Sequence, residues 1–390
     1  MTFAVKLFSA QRVLAYCALA ALLLPGTHHL IEKRYALNSA YLLLLSFLIC
    51  YAVLPLFLVV SRKFGLIDHP DEARKQHADP TPVIGGLAIY VSFIITVFLN
   101  FHFSEELKAI VIGSSFILFL GLADDIWGLS AKIRLVGQIA ASLYIILFGV
   151  HMTFVPVYLG GIYTETVLTV VWLIGITNSM NFIDGLDGLA SGSSIIYSGF
   201  FALIAFVTKQ YYFLFMSIAI LGSCFGFFVY NFRKGKPALA FLGDSGATFL
   251  GFLLASFALL GEWGESIVDI VIPILIMSVL IFDMTLTTVV RIYSGEVKNF
   301  SQWLHYTGRD HFHHRLLDLG IGKYSATWLF FGVSFCFGIE ALAILFSNVL
   351  VSVLILLHSI LVFAIIGIIL VLRNKNRQHP VVTQATYGKA

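Results

Sequence analysis

Long apolar runs alternate with short polar ones along the chain. The runs lie near residues 5–25, 41–60, 84–101, 107–123, 135–150, 164–180, 193–208, 211–230, 245–260, 267–290, 326–346 and 349–372. Most approach the roughly 20 residues that carry an α-helix across a bilayer. In hydrocarbon each segment must satisfy its own backbone hydrogen bonds, which a helix does. The pattern predicts an all-α integral membrane protein with about 11–12 transmembrane helices. The first run opens on Lys6 and Arg12 and ends at Pro25, as a signal peptide would. No small-residue cleavage site precedes Gly26–His29, so a retained helix is expected. Residues 1–39 read as an N-terminal helix and loop, 40–372 as one membrane domain and 373–390 as a polar tail. No internal repeat is evident, nor the paired interrupted helices of inverted-repeat transporters.

Composition reinforces this picture. The chain is 59% hydrophobic and only 12% charged, against about 25% charged in a soluble domain. So few charges cannot cover a water-facing surface. Cys17, Cys50, Cys224 and Cys336 all fall in apolar runs without CxxC spacing, which suits small apolar packing rather than a disulfide framework.

The placement of charge orients the chain. Eighteen of the 24 Lys and Arg residues lie in loops 61–83, 124–134, 231–244 and 291–325 and in the C-terminal tail. The opposite side holds Lys33, Arg34, Lys108 and Lys209; Lys6 and Arg12 join the crowded side if the first run crosses. The positive-inside rule makes the crowded side cytoplasmic, C-terminus included.

The polar clusters, which played no part in that orientation, fall on the same side. ADDIWGLSAKIR (123–134) carries Asp124 and Asp125, and NSMNFIDGLDG (178–188) carries Asn178, Asn181, Asp184 and Asp187. AFLGDSGATF (240–249) carries Asp244, and RDHFHHRL (309–316) carries His311, His313 and His314 between Arg309 and Arg315. Each has a plain reading: a solvated helix end, or a glycine-rich turn capped by Asp and Asn. Beside a bilayer, however, an unpaired carboxylate is costly. Their coincidence predicts one composite site at the cytoplasmic membrane surface. Asp184 and Asp187, three apart, would share a face on a helical turn, and neighbouring glycines would let backbone approach a ligand. Asp and Asn oxygens suit Mg²⁺ or Mn²⁺. Zinc on the histidines is an alternative, but HExxH is absent and no Cys lies nearby. Arg beside His suits an anion such as phosphate. Carboxylates for a metal and a basic patch for anions describe phosphoryl transfer, here without a P-loop or kinase motif. Asp283, deeper in the 267–290 run, either pairs with a cation from another helix or takes part in catalysis.

These motifs together resemble the polyprenyl-phosphate N-acetylhexosamine-1-phosphate transferases. That family includes bacterial enzymes that start O-antigen, enterobacterial common antigen and teichoic acid linkage synthesis, and the MraY translocase. The resemblance spans about residues 55–320 and rests on DHPDEARKQHADPTPVIGG (68–86), GLADDIWGLSAKIRL (121–135), NSMNFIDGLDGLASG (178–192), FLGDSGATFLGF (241–252) and RDHFHHRLLDLG (309–320), in order. It implies transfer of a sugar 1-phosphate, GlcNAc-1-phosphate foremost, from a UDP-sugar to undecaprenyl or another polyprenyl phosphate. The reaction would take place in the inner leaflet of the bacterial cytoplasmic membrane, with Mg²⁺ or Mn²⁺, releasing UMP and starting a lipid-linked envelope glycan. By motif match, Asn181 and Asp244 would hold the metal on the diphosphate. Asp124 and Asp125 would orient metal or activate the lipid phosphate. Asp184 and Asp187 match an essential acidic pair, Asp187 reading the uracil edge and Phe241 stacking on the base. Asn178 and Gly185 would line the same wall. Lys132 or Arg134, with His311, His313, His314 and Arg315, would contact phosphates or sugar. The resemblance leaves open whether an Asp attacks first or the lipid phosphate attacks directly. MraY members carry consecutive histidines followed by an acid; here Phe312 interrupts the run and Arg315 follows, as in the UDP-GlcNAc-using branch. Residues 1–39 depart from that branch. No nucleic acid is expected as partner, membrane lipids are, and a homodimer stays open. UDP-MurNAc-pentapeptide or another UDP-N-acetylhexosamine is the alternative donor.

Two other classes fit less of the chain. An ion-coupled transporter predicts acids near the bilayer midplane and on both sides. An intramembrane aspartyl protease, suggested by LGDSG and PAL (237–239), leaves the histidine loop idle.

Overall fold

The structure is a computed structural model that describes residues 10–24, 35–68, 80–263, 270–299, 302–303, 306, 308 and 310–378. Residues 69–79 of the first motif and Arg309 lie outside them, as do 1–9 and 379–390.

Within the described residues every apolar run coincides with helix. In order these are α1 (Ala10–Leu22), α2 (Tyr35–Phe64), α3 (Gly85–Asn100), α4 (Glu105–Trp127), α5 (Ala131–Leu147), α6 (Ile162–Ile183), α7 (Leu189–Val207), α8 (Tyr211–Asn231) and α9 (Gly243–Leu260). The 267–290 run, expected as one span, is two helices, α10 (Val271–Ile276) and α11 (Ser278–Tyr293), interrupted at Met277. A short α12 (Phe312–Asp318) follows, then α13 (Lys323–Leu345) and α14 (Val349–Gln378). Among the described residues eight helices are long and apolar enough to cross a membrane. Several expected spans fall short of that measure: α1 has 13 residues and α3 has 16, while α5 has 17 and opens with Lys132 and Arg134. This is a multi-pass membrane protein. The outer helices face outward with leucine and isoleucine; only 17% of the apolar window of α14 is buried, as expected where lipid rather than water covers the surface.

The centre of the bundle is α9, buried along most of its length and packed against α3, α4, α6 and α7. Small residues permit that crowding. A Cβ at Gly86 of α3 would lie 2.1 Å from the Gly246 Cα, and one at Gly121 of α4 would lie 2.5 Å from the Ser245 Cα. A Cβ on Gly251 would lie 2.8 Å from the Thr177 Cα of α6. Buried hydroxyls tie α2, α3 and α8: Ser223 donates to the Ser92 hydroxyl at 3.0 Å, and Ser92 donates to the Ser46 carbonyl. The N-terminal helix α1 rests on α2, where Tyr16 donates to the Ala52 carbonyl at 3.4 Å. The result fixes the first turn of α9 at one end of the bundle, beside the ends of α4, α6 and α8.

Candidate active site

The FLGDSG segment is laced to the chain before α3. Phe241 N–H donates to Pro82 O at 2.8 Å, while Gly85 and Gly86 donate to the Phe241 and Leu242 carbonyls at 3.0 Å. Gly243, at φ +79°, then turns the chain into α9. The first N–H groups of a helix have no partner within it and attract negative charge. Asp125, near the end of α4, supplies it: Oδ1 accepts from Asp244 N–H at 3.0 Å and Oδ2 from Ser245 N–H at 3.1 Å. The adjacent Asp124 turns the other way. Its Oδ1 accepts from Leu129 N–H at 2.7 Å, and its Oδ2 pairs with Arg134 Nη1 at 2.7 Å. The two acids thus point apart, as neighbours on a helix do, yet neither is a bare solvated end.

Arg134 also lies 3.9 Å from Asp244 Oδ2. On the other side Asn181 Nδ2 donates to Asp244 Oδ1 at 3.0 Å. One turn back on α6, Asn178 exchanges amide hydrogen bonds with Gln138 of α5, at 2.8 and 3.4 Å. Asp124, Arg134, Gln138, Asn178, Asn181 and Asp244 line one small pocket.

Asp184 and Asp187 do not share a helical face: α6 ends at Ile183, and both stand in the following turn. Asp187 Oδ2 accepts from Ala238 N–H at 3.3 Å. Gly188 adopts φ +77° and its N–H donates to Asn231 Oδ1 at 2.9 Å. The same oxygen accepts from the Ser191 hydroxyl at 2.9 Å, and Asn231 Nδ2 donates to Ala240 O at 2.9 Å. One buried carboxamide on α8 therefore joins the DGLDG turn to the FLGDSG loop. Nothing in the sequence pattern singled out Asn231, since it ends an apolar run. Gly185 meets the histidine loop: a Cβ there would lie 2.4 Å from His313 Nε2.

That loop is pinned to α11. His311 Nδ1 lies 2.9 Å from Asp283 Oδ2, and Phe312 N–H donates to Asp283 Oδ1. Asp283 thus does meet a residue from another element, a histidine. Arg291 holds Asp310 bidentately at 2.8 and 2.7 Å, and Arg315 Nε donates to the Asp310 carbonyl at 2.6 Å. Burial alone would raise the Asp310 carboxyl; Arg291, with help from His311 and Arg315, outweighs it and holds the group below its ordinary value.

Between these parts opens a cleft of about 1030 Å³. Of the sequence-predicted residues, Asp125, Asp184, Gly185, Asp187, Phe241, Asp244 and His314 line it. His311, His313 and Arg315 are buried and do not line it, and Lys132 is exposed on the first turn of α5. The cleft also presents Phe232, Arg233, Lys236, Lys323 and Tyr324. These basic groups marked the orientation of the loops in the sequence, not the site. Desolvation, then the charges of Asp244, Asp125 and Asp187, pushes the Asp184 carboxyl well above its ordinary value. A cleft with this excess of carboxylate is suited to receive a cation, and its basic rim to receive an anion.

The fold and the cleft define a multi-pass membrane protein with a charged site at one end of its bundle, and comparison with known proteins supplies its class. The family model "Glycosyl transferase family 4" matches residues 107–262. The chain is 33% identical over 333 residues to a Bacillus subtilis (strain 168) protein named probable undecaprenyl-phosphate N-acetylglucosaminyl 1-phosphate transferase, covering 83% of this chain and 90% of that protein. It is 30% identical over 316 residues to the decaprenyl-phosphate N-acetylglucosaminephosphotransferase of Mycobacterium leprae, covering 70% and 75%. Identity to the phospho-N-acetylmuramoyl-pentapeptide-transferase of Bacillus thuringiensis is 34% over 241 residues, 55% of this chain and 72% of that one. The chain belongs to the polyprenyl-phosphate N-acetylhexosamine-1-phosphate transferase family, and it is a sugar-phosphate transferase.

Proposed function

We propose that the protein transfers GlcNAc-1-phosphate from UDP-GlcNAc to undecaprenyl phosphate at the cytoplasmic face of the bacterial inner membrane. A phosphate oxygen of the lipid bonds to the sugar-bearing phosphorus, the bond from that phosphorus to the bridging oxygen of UDP breaks, and UMP leaves. The product would start a lipid-linked envelope glycan. The observation that carries this reading is the convergence of four separated motifs on one cleft at the end of an apolar bundle. An acceptor whose tail lies in the bilayer has its phosphate at that depth. Arg233, Lys236, Lys323 and His314 would meet phosphate oxygens, and Phe241 offers an aromatic face for the uracil. The length over which the two GlcNAc-named relatives align, and the interrupted HFHHRL run, favour GlcNAc over the MurNAc-pentapeptide donor.

A divalent cation fits the residues present. Among the described residues no three His, Cys, Asp or Glu side chains converge as a ready-made metal cage. Mg²⁺ does not need one, since it is usually held by one or two carboxylates together with substrate phosphates and water. Asp244 and the Asn181 amide oxygen would hold it, inside a group of carboxylates for which the nearby Arg134 is incomplete compensation. When bound, the ion would neutralise the diphosphate and stabilise the phosphoryl group in transfer. Asp125 would keep Asp244 in place and Asp124 would keep Arg134 beside it.

Purified protein mixed with Mg²⁺, undecaprenyl phosphate and radiolabelled UDP-GlcNAc should yield labelled lipid and UMP in equal amounts. UDP-MurNAc-pentapeptide in a parallel reaction should yield far less. Absence of both products from every UDP-N-acetylhexosamine would refute the reaction. Asp244→Asn should abolish turnover, and EDTA should do the same reversibly; activity retained by the variant at ordinary Mg²⁺ would remove Asp244 from the metal.

A further inference from the structure

We propose that Asp283 is the positioning residue of the histidine loop: it fixes the proton of His311 on Nδ1 and leaves Nε2 as the ring's acceptor for the reaction. The inference rests on the transferase reading above and adds to it a residue that lines neither the cleft nor the small pocket.

Asp283 sits on α11, is 0% exposed and lies within an apolar run. Burying a carboxylate there is costly unless it is paired and its oxygens are satisfied. Both oxygens are engaged by the same two residues, Oδ2 by His311 Nδ1 at 2.9 Å and Oδ1 by Phe312 N–H. Simple tethering does not account for this expense. Arg291 already clamps the loop to α11 through Asp310, and Arg315 ties the Asp310 carbonyl.

What Asp283 adds is control of one imidazole. A carboxylate only accepts, whereas a neutral imidazole has one donor and one acceptor nitrogen. Facing Asp283, Nδ1 must donate, so Nε2 carries the lone pair. The ring plane is fixed as well. Phe182 of α6 lies 4.7 Å away between centroids, and the His313 ring lies 6.4 Å away at an interplanar angle of 10°. Phe182 follows Asn181, whose amide touches Asp244. A ring locked in orientation and tautomer, packed against the residue that follows Asn181, is equipped to accept a hydrogen bond or a proton at its other nitrogen. A carboxylate behind a working histidine commonly has this use.

The substitution Asp283→Asn tests it with almost no change of shape. The Asn oxygen can still accept from Phe312 N–H, but its NH₂ now meets Nδ1 and donates. The proton of His311 must then move to Nε2. The experiment is ¹⁵N NMR of the full-length, histidine-labelled protein in nanodiscs, with His311→Gln to assign the signal and kcat and KM measured alongside. The wild type should show the Nδ1–H tautomer at His311 and Asp283→Asn the Nε2–H tautomer. The variant's kcat should fall on the order of 10–100-fold with KM for UDP-GlcNAc unchanged, and Asp283→Glu should recover part of it. A wild-type His311 with its proton on Nε2 overturns the proposal even if no variant folds. So does a tautomer that ignores Asp283→Asn, or a reversed tautomer with full turnover. Failure of the transferase reading looks different: the wild type would make no lipid product, while the tautomer readout would still respond to Asp283→Asn.

Discussion

Asp125 closes the N-terminus of the helix that carries Asp244, its two carboxylate oxygens accepting the backbone N–H groups of Asp244 and Ser245 at 3.0 and 3.1 Å. One acid of the site thereby sets the position of another. Removing it should cost both stability and activity, whereas altering Asp244 should cost activity alone. Losing a side-chain cap typically costs about 1 kcal/mol. Asp125→Ala should therefore lower the unfolding temperature in detergent, and Asp125→Asn should recover part of the loss through its remaining acceptor. Asp244→Asn should leave the unfolding temperature at or above that of wild type, because it removes a charge from a crowded group. The reverse order of stabilities would contradict the capping role.

Gly185 and His313 provide a contact that can be tested without touching a titratable group. A Cβ at position 185 would stand 2.4 Å from His313 Nε2, closer than real contacts allow, so the histidine loop must give way. Gly185→Ala should lower kcat well below wild type while leaving the unfolding temperature nearly unchanged, since Gly185 itself is exposed. Gly86→Ala makes the useful contrast. Its Cβ would meet the Gly246 backbone at 2.1 Å between two packed helices, and it should reduce the yield of folded protein. Full activity in Gly185→Ala would show that the two loops are not in contact.

Arg291 and Asp310 predict an acid-side loss of stability. Arg291 holds the Asp310 carboxyl below its ordinary value in the folded protein. The unfolded chain therefore binds the proton more readily. The stabilisation is present above the unfolded value of about 3.9 and is lost as pH falls through the lower folded value. Asp310→Asn should remove this pH dependence, and at neutral pH it should already be destabilised by about 3–5 kcal/mol because it leaves a buried guanidinium without its carboxylate. Unfolding temperatures from pH 2 to pH 7 check both points. Parallel curves for wild type and variant would exclude the pair as the source. Asp184 has the opposite sign: its raised carboxyl makes ionisation costly to the folded state as pH rises above the ordinary carboxylate range.

How much of this was legible in the sequence depended on the kind of signal. Apolar runs located the long described helices because lipid exposure and helical span length write directly into composition, but not the short α12, which lies within the polar histidine cluster. The interruption at Met277 was not legible, since the residues on either side are equally apolar. Asp124, Asp125, Asp184, Asp187 and Asp244 stood out as rare charges beside hydrocarbon, and the structure gathers them at one end of the bundle. Their division of labour was hidden. That Asp125 caps α9 while Asp124 turns to Arg134 depends on α4 packing against α9, which no local pattern records. Arg315 read as an anion ligand, yet its guanidinium is directed to the Asp310 carbonyl. Basic side chains of a cleft and of its supporting frame look alike until they are folded.

Asn231 is the sharpest case of a residue the pattern concealed, and it carries a prediction of its own. Its side chain is buried at 3% exposure and makes three hydrogen bonds: it accepts from Gly188 N–H and the Ser191 hydroxyl and donates to the Ala240 carbonyl. The first two fix the turn that follows Asp187, and the third fixes the strand of chain leading to Phe241. Leucine is similar in size but serves none of them. Each buried polar group left without a partner costs about 1–3 kcal/mol, so Asn231→Leu should destabilise the protein severely. Asn231→Asp separates the two halves of the role. It keeps the acceptor for Gly188 and Ser191, turns the donor toward Ala240 into a second acceptor, and brings a further negative charge to the acidic cleft. Turnover should fall while the fold survives, and raising Mg²⁺ should recover little of it. The fault in Asn231→Asp would lie in the displaced Phe241 segment as well as in charge. A variant with wild-type kcat and KM would mean that the link between Asn231 and Ala240 has no part in shaping the cleft.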